Sequence, residues 1–276
     1  MNNVEFISST MASEHLADGP VVVQSARLRQ GANLYGILVE PGRAEAVWQY
    51  WHNIRQETGL VPCLTSMRSS EQALLSLAEG QVEGDAVQLR DGMRVDQADS
   101  LVADIVAKVA FQSIEKSCRD YPEELEEEQQ LHDPVQLVEL LQEEIGTPLV
   151  GDPLAFQKRW GMSPLWLLLV ESQAGFSLPA LLPNFANNAR TAFPESRPLS
   201  VMDHCAFLRH WHARYGAEVF FVTSTEVQLQ VSFPPVRRDE IAALAIEQNA
   251  YCDDLYDVVE LGDAQARSTT WSFWWD

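Results

Sequence analysis

LYGILVEPGRAEAVWQYWHNIRQETGLVPCLT, Leu34 to Thr65, is the stretch whose reading decides the fold. Its first residues, Leu34 to Glu40, make a β-rich run that Pro41-Gly42 ends. Val47, Trp48, Trp51 and Ile54 then fall on one helical stripe, and Gly59 is a natural helix stop because glycine tolerates the left-handed conformation. Leu60 to Thr65 is apolar and strand-like again, so residues 34 to 66 read as β-α-β. Two strands joined through a helix are expected to be parallel.

Beyond this unit the pattern changes. From about Gln72 to Gly146 it is mostly helical, with Leu101, Val102, Ile105, Val106, Val109 and Ile114 on one broad apolar face. Inside this region YPEELEEEQQLH, Tyr121 to His132, has Leu125 as its interior apolar residue and must be solvated. Asp133-Pro134 places a cap and a first-turn proline in helix-starting order, and Leu137, Val138, Leu141 and Ile145 form the next stripe, up to Gly146.

The C-terminal half returns to strands and helices. Leu165 to Glu171 is nearly continuous in apolar residues, as a strand covered on both faces would be. Phe176 to Pro198 carries four prolines and Asn187-Asn188, so it reads as a long irregular loop of the kind that often serves function. Ser200 and Asp203 resemble a capping box ahead of the stripe Phe207, Leu208, Trp211 and Tyr215, which Gly216 closes. Val219 to Thr223 and Val227 to Val231 form a hairpin, the second strand alternating Val227, Leu229 and Val231 with Gln228 and Gln230, which predicts one wet face. A helix over about Arg238 to Tyr251 leads to the terminal STTWSFWWD. As a strand, this end puts Trp271, Phe273 and Trp275 on one face and Trp274 on the other, which predicts a core strand inside the sheet.

The predicted fold is therefore α/β: a mixed, largely parallel sheet flanked by helices, with an acidic helical insert. Residues 1–70 supply its N-terminal β-α-β part, 71–146 the insert, and 147–276 the C-terminal α/β part. WHNIRQETGLVPCLTS (Trp51 to Ser66) and WHARYGAEVFFVTS (Trp211 to Ser224) echo one another, although they differ in length by two residues, so an internal duplication is one reading.

Composition narrows the function. Forty acidic residues against nineteen basic give a formal charge of -21, which repels nucleic-acid phosphates and anionic lipid and attracts a basic protein. The longest apolar runs, such as LWLLLV at Leu165 to Val170, are far shorter than a bilayer span of roughly 20 residues, and the start has no basic-then-apolar leader, so a cytoplasmic location is expected. Cys63, Cys118, Cys205 and Cys252 are widely spaced, as reduced, buried thiols would be.

No phosphate-loop, dinucleotide, nucleophile-elbow or zincin motif occurs, and no catalytic residue, cofactor or metal is assigned. His204, His210 and His212 share a helix, but His210 and His212 point about 200° apart and cannot hold one ion. Solvated or capping histidines are expected instead.

Several segments carry a resemblance: WLLLVES, LRHWHARYGAEVFFVTSTEVQLQV, the Ala245 to Asp254 segment and the closing WSFWWD. They resemble the bacterial family called domain of unknown function 4253, and ETGLVPCLTS at Glu57 to Ser66 resembles that family's N-terminal segment. The matching positions are Trp211, His212, Arg214, Tyr215 and Gly216, then Glu247, Gln248, Tyr251 and Cys252, then Phe273, Trp274, Trp275 and Asp276. The resemblance implies no activity for any of them.

Two expectations of function follow. The favoured one is a cytosolic immunity protein that neutralises a cognate bacterial toxin, a basic one, by direct binding through Glu123, Glu124, Glu126, Glu127, Glu128, Glu139 and Glu143. The alternative is an enzyme or small-molecule binder with a cleft formed by Trp211, His212, Arg214, Tyr251 and Trp274. Neither nucleic acid nor membrane is an expected partner, and the sequence carries no sign of oligomeric state.

Overall fold

The computed structural model describes residues 2–66, 74, 79–80, 82, 93–141, 147–160, 165–183, 185–191, 197–252, 254–255 and 257–276. Its strands are β1 (Gln24–Arg27), β2 (Asn33–Val39), β3 (Leu60–Ser66), β4 (Leu165–Glu171), β5 (Ala217–Val222), β6 (Glu226–Val231) and β7 (Thr270–Trp274). They form one sheet in the order β1-β2-β4-β3-β5-β6-β7. The helices are α1 (Asn3–Ser13), α2 (Ala44–Thr58), α3 (Val95–Asp120), α4 (Leu125–His132), α5 (Pro134–Leu140), α6 (Ala155–Trp160), α7 (Val201–Tyr215), α8 (Arg238–Tyr251) and α9 (Val258–Asp263).

The sheet is mixed, and the α/β reading holds. The expectation that it is largely parallel is corrected: β3 against β5 is the one parallel pair among the described strands, and every other neighbour is antiparallel. The cause is the placement of β4. It returns from the helical region and slots between β2 and β3, antiparallel to both, with Leu34 opposite Val170 on one side and Leu60 opposite Glu171 on the other. β2 and β3 therefore do run in the same direction, but they are not neighbours.

Because side chains alternate along a strand, β4 feeds two cores. Leu165, Leu167 and Leu169 pack with Ile7, Met11, Trp48 and Trp51 of α1 and α2. Trp166, Leu168 and Val170 join the opposite, larger core, where Val102, Phe207, Trp211 and Leu244 come from α3, α7 and α8. The expected caps are present: Gly59 and Gly216 close α2 and α7 with φ of 69° and 60°, and Ser200 and Asp203 form a reciprocal capping box. Asp133 caps α5 through Val135 N, with Pro134 in the first turn. Ile145 and Gly146 lie outside the described residues.

The two echoed segments stand side by side as α2-β3 and α7-β5. Leu64 pairs with Phe221, each five residues after its capping glycine. From Trp51 to Gly59 is three residues longer than from Trp211 to Gly216, close to one helical turn, whereas from the paired Leu64 and Phe221 to the closing Thr-Ser the second segment is one residue longer. The length difference of two is thereby accounted for, and the paired helices face opposite cores.

Three local expectations are corrected. The 176–198 stretch is irregular but not an open loop: Leu178, Leu181 and Ala186 have no exposed surface, and the segment fills the larger core (residues 184 and 192–196 lie outside the described residues). β6 has no wet face, because residues 154–157 roof it. Gln157 Nε2 donates to Glu226 Oε2 at 2.8 Å, Gln228 Nε2 to Glu226 Oε1 at 2.6 Å, and Leu154 N to Gln228 Oε1 at 3.0 Å. Burial raises the Glu226 carboxyl's pKa despite those amide donors.

The third correction concerns the terminus. β7 lies at the end of the strand order and pairs with β6, so it is an edge strand. Trp271, Phe273 and Trp275 are buried on one face, and Trp274 on the other is 48% exposed. The outer edge is blunted from within the chain: Ser272 N donates to Gln265 Oε1 at 2.9 Å and the Cys252 thiol donates to Trp274 O at 3.2 Å. Phe273→Ala is expected to cost about 3–5 kcal/mol in urea unfolding, and Trp274→Ala less than about 1 kcal/mol, since only the first opens a core cavity.

Candidate functional site

The five residues expected to share a cleft do not form one: Trp211 and Tyr251 pack together in the core, whereas His212, Arg214 and Trp274 stand apart from them. Trp211 and Tyr251 have no exposed surface. Trp211 lies parallel to Phe273 at 5.3 Å and edge-on to Tyr251 at 5.1 Å, with its indole N–H donating to Glu247 Oε2 at 2.9 Å. Tyr251 Oη is 2.7 Å from His204 Nδ1, and burial raises the phenol's pKa well above its ordinary value. These rings are core because they sit on the inward stripes of α7 and α8. Trp274 has the opposite parity in β7 and faces away.

The histidines are not the solvated or capping groups expected. His204 and His210 are buried, and burial pushes His204 down to about 4. His210 bridges carboxylates on two other helices, with Nδ1 2.8 Å from Asp99 Oδ1 and Nε2 3.1 Å from Glu247 Oε1. Arg214 grips both oxygens of the same Asp99, at 2.7 and 3.2 Å, and so tethers α3 to α7. The Asp99 carboxyl is held below its ordinary pKa, chiefly by that Arg214 contact.

His212 turns the other way, as the angular separation demands, and meets a buried carboxylate that the sequence reading missed. Glu218 of β5 is 6% exposed. Arg55 Nη2 reaches its Oε1 at 3.1 Å, and His212 Nδ1 stands 3.2 Å from the same oxygen, a close ionic approach without an aligned hydrogen bond. His52 stacks on Trp48 at 4.6 Å, and burial lowers its pKa to about 4 in spite of the pull from Glu218. Burial also pushes the Glu218 carboxyl up, but His212, Arg55 and His52 outweigh it and the net shift is downward. Gly175 is required beside it, since a Cβ there would lie 2.6 Å from Glu218 Oε2. The signal was available in the sequence as one acid inside the otherwise apolar AEVFFV strand. Chemically, this centre pins the C-terminal ends of α2 and α7 to the start of β5.

Cys63, Cys205 and Cys252 are buried as expected, but Cys118 is exposed. Burial pushes Cys205 up to about 12, far from a reactive thiolate. Among the described residues, no group of His, Cys, Asp and Glu has the geometry to hold a metal ion.

The remaining expected site is the acidic stretch. Glu123, Glu124, Glu126 and Glu127 are exposed around the start of α4, Glu139 is exposed on α5, and none of them has an ion pair among the described residues. Glu128 differs: it is half-buried, accepting from Ser113 Oγ at 3.2 Å with His132 Nε2 at 3.4 Å. Glu143 lies outside the described residues. α4 itself has no fully buried residue.

One comparison with known proteins finds a match. Residues 167–276 match the family described as domain of unknown function (DUF4253). No curated protein and no solved structure matches the chain. The matched segment starts within β4 and holds α7, β5, β6, α8, α9 and β7, and hence Glu218, His212 and the aromatic core. It excludes α3 to α5 and also β3, where Glu57 to Ser66 was expected to resemble the same family. Yet β3 is the strand that lies between the segment's own β4 and β5. Arg55, the guanidinium on Glu218, likewise comes from outside the match.

Two measurements check these assignments. Glu218 has a folded pKa below its unfolded value, so its contribution is present above about pH 4.5 and is lost as pH falls through the folded value. The stability gap between the wild type and Glu218→Gln, from urea midpoints, should be largest at pH 7 and shrink steadily below pH 4.5. For His204, whose folded value of about 4 lies below the unfolded 6.5, the unfolded chain takes up the proton first on acidification. His204 should contribute a fall on the order of 3 kcal/mol between pH 6.5 and 4, so His204→Asn should flatten the acid slope by about that much and leave the part that comes from His52.

Proposed function

We propose that this is a protein-binding protein of the bacterial cytoplasm that receives a basic partner on its acidic helices, in the manner of an immunity protein neutralising a cognate toxin. The observation that carries the reading is the group of exposed carboxylates at Glu123, Glu124, Glu126 and Glu127, without a counter-ion among the described residues. Glu126 and Glu127 sit in the first turn of α4, where the helix dipole favours acids. A helix that buries no residue fully contributes little to the core. Its carboxylates, added to a net charge of -21, would steer a basic protein into encounter and select against acidic ones. If that partner is a basic nuclease, the same acids imitate the phosphates of its substrate.

The alternative of an enzyme or metabolite-binding cleft loses support from the burial of Trp211 and Tyr251, which leaves those rings no ligand surface.

The test begins with capture of a partner from the source lysate at low salt and its release at high salt. Association is then followed by stopped flow for the wild type and for a variant with Glu123, Glu124, Glu126 and Glu127 all changed to Gln. Association slowed at least about ten-fold at low ionic strength, with a flattened salt dependence, is expected. Unchanged kinetics would remove the electrostatic docking face.

A further inference from the structure

Beneath the acidic stretch the structure holds a cavity of about 340 Å³, within the lower part of the range of ligand sites, roughly 300–1,000 Å³. The C-terminal half of α3 forms one wall through Ser113, Lys116 and Tyr121, and α4 forms another through Glu124, Glu128 and His132. Asn249 of α8 and Asp257, which caps α9, close the far side.

The chemistry of the lining is biased toward acceptors. The His132 side chain is 8% exposed, its Nε2 faces Glu128 Oε2, and its Nδ1 has no hydrogen-bond partner among the described residues. Burial lowers the His132 pKa, so the ring is neutral at pH 7. With the proton on Nε2, donated toward Glu128, Nδ1 is left as a bare lone pair. Glu124, Glu128 and Asp257 add three carboxylates against the single ammonium of Lys116. A guest that satisfies this lining must bring positive charge and several N–H donors at once. Tyr121, half exposed, offers a ring over which a flat cation can lie. An ammonium is a compact point charge, whereas a guanidinium presents five donors in a planar fork and so can bridge the Glu124 and Glu128 carboxylates together.

We infer that this cavity is an anchor pocket for one arginine side chain of the basic partner, with Glu124 and Glu128 as its acceptors and the buried His132 ring in its wall. The inference rests on the docking reading above and adds where on the acidic surface the partner is gripped.

The experiment uses the full chain with ¹³C-labelled histidine. The probes are the blocked peptide acetyl-Gly-Arg-Gly-amide, its citrulline and lysine counterparts, and free arginine, with the His132 ring signal assigned through His132→Gln. The arginine peptide should shift the His132 signal with a millimolar Kd, the citrulline peptide should leave it unmoved, and Glu124→Gln, an exposed change that does not threaten folding, should weaken binding about two- to five-fold. No movement of the His132 signal at low salt, or an equal response to citrulline or lysine, would overturn the assignment. Tighter binding of free arginine than of the blocked peptide would make this a metabolite site and overturn the docking role. Loss of the pocket result alone, with partner association still slowed by the Glu123 to Glu127 variant, would sink this inference and leave the docking face standing. Unslowed partner association with an intact peptide response would mean an arginine pocket that the partner does not use, and would overturn both readings.

Discussion

Trp211 stacked flat on Phe273 at 5.3 Å is the contact from which the larger core is built. Around that pair, Tyr251 meets Trp211, Phe273 and Trp275 edge-on, and Trp271 meets Trp211 in the same way. The preferred geometries of aromatic rings are directional, so the cluster fixes how α7 and α8 lie across β7 rather than merely drying the space between them. A strand at the edge of a sheet ordinarily frays. Here three of its last six side chains are sunk into the interior, and the outer hydrogen bonds are taken by Gln265 and Cys252.

The other face is governed by charge. Glu218 would be an expensive group to bury unpaired, and Arg55, His52 and His212 keep it ionised within reach of two helices. Because Arg55 belongs to α2 and His212 to α7, this one carboxylate joins the two echoed helix-strand units across the parallel seam of β3 and β5. Asp99 plays a similar part for the helical region, drawing α3 onto α7 through His210 and Arg214. Among the described residues the acidic α4 has no such tie except through Glu128, and its exposed carboxylates face solvent or a partner.

Much of this was legible in the residues. Gly59, Gly216, Asp133-Pro134 and the Ser200 to Asp203 box mark helix ends by local chemistry, and local chemistry is what a sequence displays. The alternation of Trp271, Phe273 and Trp275 gave the buried face of β7 for the same reason. Strand order was not legible, because nothing in LWLLLV says which two strands it will part. The wet face expected of Gln228 failed because the roof over it comes from residues 154–157, more than seventy positions away. The supposed cleft failed for a related reason: Trp211 and Tyr251 look equally apt for a ligand or a core, and only the rings opposite them decide. Glu218 was missed although a single acid in an apolar strand is a usable sign of a buried ion pair.

The insertion of β4 between β2 and β3 also sets an order of events during synthesis. β2 and β3 are complete within the first 66 residues, but the strand that pairs with both leaves the ribosome about a hundred residues later. Until then each waits with an unsatisfied inner edge, and loop closure across the helical region must be met before the gap can fill. The nascent sheet is thus held open by topology until β4 arrives.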